Sequence, residues 1–137
     1  MIKRFGWIFF IALMVLFVTA CSEPEEPEPE ATSVGGSVLE TGYELDEDMA
    51  VISPQINFQA NEDFYFSFDN NQPFGVDEVT VQLINSANDE VIAQNKYDVD
   101  PELQNVYDLI FFGSPGRYKI LVEVGGETRA TREIIIE

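Results

Sequence analysis

The chain has 137 residues, with 25 acidic against 7 basic side chains, no histidine and a single cysteine. A formal charge of −18 argues against nucleic acid as a partner, because phosphate binding needs lysines and arginines that displace counterions. The lack of histidine excludes Ser–His and Cys–His catalysis and removes the commonest transition-metal ligand, and a lone cysteine cannot form an internal disulfide.

The first predicted element is a signal. Lys3 and Arg4 form a positive start, Phe5 to Phe17 an apolar stretch, and Thr19-Ala20 a small-residue cleavage site. Residues 5 to 20 number 16, short of the roughly 20 a membrane-spanning helix needs. Val18-Thr19-Ala20-Cys21 resembles the bacterial lipobox, which reads aliphatic, small, small, Cys; Val18 replaces the commoner leucine. The resemblance implies that residues 1 to 20 are removed and that Cys21 is lipidated. It implies also that the protein is held on the extracytoplasmic face of a bacterial cell membrane. Each buried acyl methylene contributes about 0.8 kcal/mol, so two or more chains anchor far more firmly than one.

With the signal removed, Lys3 and Arg4 are lost while all 25 acids remain, so 5 basic residues leave a charge of −20. Such a body is repelled by an anionic bilayer and does not lie flat on it. Residues 22 to 36 read as a tether. Pro24, Pro27 and Pro29 favour polyproline II, and the five glutamates between 23 and 30 repel one another. At about 3.1 Å per residue this segment reaches up to roughly 45 Å from the membrane.

Beyond Val38 the pattern turns to period two. Ile56 to Phe58 and Met49 to Ile52 are expected as short strands around Ser53-Pro54. Phe64, Phe66 and Phe68 alternate with polar neighbours, and Val79, Val81 and Leu83 do the same, each a half-buried strand. Ser86 to Asp89 turns into a weaker strand from Glu90 to Lys96, and Pro101 to Gln104 suits one short helical turn. Val106 to Phe112 is apolar on nearly both faces, interrupted by Asp108 alone. Such a strand is expected to be covered on both sides, in part by a partner. Tyr118, Ile120, Val122 and Val124 alternate again; Gly125-Gly126 suits a hairpin turn of the primed types, and Arg129 to Ile136 returns as the last strand.

About seven short strands with hairpin connections over residues 37 to 137 predict an all-β fold, an antiparallel β-sandwich, with a small barrel as the other possibility. Ser114-Pro115-Gly116-Arg117-Tyr118-Lys119-Ile120 resembles the start of strand F in immunoglobulin-like and fibronectin type III domains. Gly116, Tyr118 and Ile120 match; Ser114 stands for the family's Asp and Ile120 for its Cys. The resemblance implies an immunoglobulin-like sandwich in which Tyr118 is a corner tyrosine bonded to backbone upstream. The only tryptophan, Trp7, lies in the signal, which points to the looser bacterial modules.

No catalytic residue is assigned, so the expected class is non-enzymatic. Carboxylate-rich loops are the one route to a cofactor: Asp98, Asp100 and Glu102 alternate and could offer oxygens to Ca²⁺, with Asp46, Glu47 and Asp48 as a second cluster. Asp69-Asn70-Asn71-Gln72-Pro73-Phe74 resembles the cadherin calcium motif with one ligand position missing. Loop and strand aromatics point to partner binding, with Phe74, Tyr97 and Tyr65 as candidates. The expected function is a lipid-anchored binding or structural module for a protein or envelope component. A calcium-binding envelope protein and an inhibitor or accessory subunit of a secreted enzyme are the alternatives.

Overall fold

The computed structural model describes residues 29–137; Lys3, Arg4, the lipobox with Cys21, and the acidic run as far as residue 28 lie outside the described residues. Eleven strands and no helix make up the described chain. They are β1 (Ala31–Ser33), β2 (Val38–Gly42), β3 (Glu44–Leu45), β4 (Val51–Ile52), β5 (Asn57–Phe58) and β6 (Asp63–Asp69), then β7 (Glu78–Asn85), β8 (Glu90–Asp98), β9 (Asn105–Phe111), β10 (Gly116–Val124) and β11 (Glu127–Ile136). The strands β2 and β6 to β11 are the long ones, and they supply the expected sandwich.

One sheet runs β1-β11-β10-β7-β8, with β5 added parallel to β11; the other runs β2-β6-β9 and is antiparallel throughout. Their inner faces carry the residues that alternate in the sequence. Phe64, Phe66 and Phe68 of β6 meet Val79 and Val81 of β7 and Ile120 and Val122 of β10, all essentially sealed from water. Phe58 stacks on Phe64 at 3.8 Å between ring centroids, and Phe112 lies 4.3 Å from the Tyr118 ring. Gly125 and Gly126 both take positive φ, which a two-residue primed turn requires, and they join β10 to β11. The Tyr118 hydroxyl donates to the Ser114 carbonyl at 2.9 Å, the corner bond implied by the strand-F resemblance.

Two of these expectations need correction, and one small unit lies beyond them. The tether does not extend to residue 36: Ala31, Thr32 and Ser33 pair with Arg132, Thr131 and Ala130 of β11, because that strand's outer edge needs hydrogen-bond partners. Pro101 to Gln104 forms no helix; Leu103 donates to the Asp100 carbonyl and the Glu102 amide to the Asp100 carboxylate, closing a tight turn. A small hairpin, β3–β4, was also not expected as a separate unit. Asp46 closes it by accepting the Asp48 and Ala50 amides, and it folds over Gly42, where a Cβ would meet Val51 at 2.5 Å.

The two flanks of the sandwich differ. On one, β1 and β5 cover β11, and Arg132 reaches across to the Thr41 hydroxyl and the Leu39 carbonyl of β2. Burial lowers the pKa of that guanidinium, with the charge of Glu40 acting the other way. On the other flank β8 and β9 end their sheets, and no further strand among the described residues pairs with either.

Candidate functional site

The open flank is built from β8 and β9. In β9, Val106 and Ile110 turn inward into the core, as does Phe112 just beyond its end, whereas Tyr107, Leu109 and Phe111 turn outward and remain 44%, 48% and 55% exposed. The expectation that this strand is covered on both sides therefore fails within the chain. The β3–β4 hairpin shields part of the small sheet's outer face over β2 and β6, where Ser67 donates to the Met49 carbonyl. Large apolar side chains at alternate positions of a single strand form a stripe, which costs solvation unless something covers it.

Polar groups concentrate on the inner side of the same flank. Tyr97 of β8 sits edge-on to Phe66 at 6.0 Å, and its hydroxyl donates to Asp108 Oδ2 at 2.9 Å, a side-chain bond that joins the two edge strands. Asp108 Oδ1 accepts the Leu109 amide at 2.8 Å. Burial pushes the Tyr97 phenol from 10.0 up to about 12; a hydrogen bond with Asn95 offsets part of this, and the bond to Asp108 and its charge add to it. Beside this pair a crevice of about 170 Å³ opens between the sheets, its lining including Phe66, Leu83, Tyr97 and Ile110 and also Leu109 and Phe111 of the stripe.

The sequence-predicted candidates separate here. Tyr97 lies on the flank, and Tyr65 of β6 is half-buried directly opposite Leu109 in register, so the two belong to one region. Phe74 does not. It is only 6% exposed, stacks near Phe68 at 6.4 Å and donates its amide to the Leu103 carbonyl, so it is a plug in the core rather than an exposed loop aromatic. Leu109 and Phe111 were missed as site residues, although the continuous apolar run that contains them was the signal.

The acidic loops have local work. Asp100 holds its own turn, Asp46 closes the β3–β4 hairpin, and Asp69 accepts the Asn71 amide. Asn70 is buried: its side chain donates to the Gln72 carbonyl and accepts from Arg129, which the bulge between Val122 and Glu123 leaves without a partner residue on β10. Among the described residues no three acids, including Asp98, Asp100 and Glu102, come together as a metal-binding group.

No family model and no curated relative matches the sequence. Solved structures that resemble the fold include the soluble domain of PmoD from a Methylocystis species, 11% identical at a TM-score of 0.45, covering 74% of this chain and 90% of that one. An immunoglobulin-like β-sandwich of the DUF3244 family from Bacteroides vulgatus is 12% identical at 0.41, covering 79% and 100%. The CARDB domain of PF1109 from Pyrococcus furiosus, solved with di-metal ions, is 12% identical at 0.39, covering 79% and 93%. At these scores none says anything of ligand or activity.

Proposed function

We propose that this chain is a lipid-anchored, non-enzymatic module on the extracytoplasmic face of a bacterial membrane, and that it binds an envelope protein through the outer face of β9. The observation that carries the reading is the stripe of Tyr107, Leu109 and Phe111, left open in a sheet whose other side is packed core. Cys21 supplies the anchor, and the acidic run from Ser22 to Glu30 supplies the spacer. With the folded body starting at β1, those nine residues span about 28 Å when extended.

Two measurements on protein from the native host test this. Intact-mass analysis should find residues 1 to 20 removed and acyl chains on Cys21; an unmodified Cys21 contradicts the anchor. Replacing Leu109 and Phe111 together by lysine should abolish co-isolation of the partner after mild cross-linking, without lowering the unfolding midpoint appreciably. Undiminished recovery contradicts the binding face.

A further inference from the structure

The free edge of β9 carries more information than its exposed side chains. Asn70 donates to the Gln104 carbonyl and Asn61 to the Phe112 carbonyl, so the even-numbered positions turn their backbone groups toward β6. Tyr107, Leu109 and Phe111 then present theirs to the open side. Exposed edges are normally blunted by charge or bulges. On β8 the register shift beside Ile84 and the Lys96–Glu78 ion pair at 3.1 Å do this. On β9 the only such device is Asp108, whose carboxylate caps the Leu109 amide.

Charge is divided between the sheets. All five basic residues after the signal, Lys96, Arg117, Lys119, Arg129 and Arg132, lie on β8, β10 and β11, although Arg132 reaches across to β2 and Arg129 to Asn70. Residues 38 to 69 and β9 contain no lysine or arginine, while Asp63, Asp69 and Asp108 flank or interrupt the stripe. A second copy of the chain would bring the same negative rim and be repelled, so the charge of this face favours a positively charged occupant.

Resting on the partner-binding reading, we infer that the occupant is an extended cationic segment of another protein that joins the small sheet as a strand beside β9, with a lysine or arginine at Asp108. Strand addition gives main-chain hydrogen bonds for affinity and side-chain seats for specificity. Side chains on the outer face lie along Tyr107, Leu109 and Phe111. One apolar side chain from the inner face enters the crevice, whose roughly 170 Å³ is near the size that accommodates a benzene ring. The incoming cation draws the Asp108 carboxylate from the Leu109 amide and frees that donor for the ladder. A neutral or acidic strand leaves the cap in place.

The test uses the full-length protein in non-ionic detergent and a synthetic peptide with valine at alternate positions and, on its other face, a central lysine flanked by one leucine for the crevice and one threonine. Its comparators are the same peptide N-methylated on the amides that face β9, and the same peptide with glutamate for lysine. The plain peptide should bind and slow hydrogen exchange at Tyr107, Leu109 and Phe111. Each comparator should bind at least about tenfold more weakly, the scale of one lost charge-assisted hydrogen bond. Asp108→Asn should reduce the preference for lysine over glutamate. Equal binding of the N-methylated peptide, protection on β8 instead of β9, self-association in place of peptide binding, or no binding would each overturn strand addition. Loss of partner recovery on replacing Leu109 and Phe111 is a separate outcome, so docking on the face can survive failure of the strand.

Discussion

At Tyr97 and Asp108 one phenol and one carboxylate link strands that belong to different sheets. Because the folded-state pKa of Tyr97 is raised, the folded protein holds that proton more tightly than the unfolded chain. The associated stability is fully present below pH 10.0 and is lost as pH rises toward about 12. Denaturant midpoints should therefore fall more steeply over that window in the natural protein than in Tyr97→Phe; parallel curves would contradict the assignment. Tyr118→Phe removes a part-buried bond to the Ser114 carbonyl and should cost about 1 kcal/mol by chemical denaturation, with the fold retained. The corner tyrosine was legible because Gly116, Tyr118 and Ile120 form a local pattern. Phe74 was not, because its burial depends on the loop carrying Leu103 closing against it, a contact between segments far apart in the chain.

Among the elements, period two marks every long strand with a clear inner face, β6, β7 and β10 most plainly. The two-residue strands and β1 carry no such period and arise from neighbours that need hydrogen-bond partners. Strand β9 misled in a different way. A continuous apolar run implies two covered faces, but sequence cannot distinguish cover from the same chain and cover from another molecule. If the outer face is unpartnered in the free protein, Leu109→Ser and Phe111→Ser should each change stability by no more than about 0.5 kcal/mol. Phe66→Ala, on the opposite strand and fully enclosed, should cost about 3–5 kcal/mol. Comparable losses from all three would mean that β9 is already covered.

For the whole molecule, composition set the net charge but not its placement. That β9 and its partner β6 carry no basic residue, while all five lie on strands of the large sheet, with Arg129 and Arg132 reaching across to Asn70 and β2, emerges only once β9 is seen to pair with β6 and β8 with β7. A body carrying so much negative charge repels itself, and added salt screens that repulsion over about 10 Å at 0.1 M. The unfolding midpoint should rise with sodium chloride before any partner is present; a fall would contradict self-repulsion as a dominant strain on the fold. The same division of charge makes the small sheet the attractive face for a cationic partner. Site-specific photo-cross-linking in the native envelope tests that claim most directly, with the probe placed at Phe111 on β9 or at Lys119 on the opposite sheet. The account predicts a discrete protein adduct from position 111 and none from position 119, whereas an adduct from 119 alone, or none from 111 in correctly anchored protein, would contradict it.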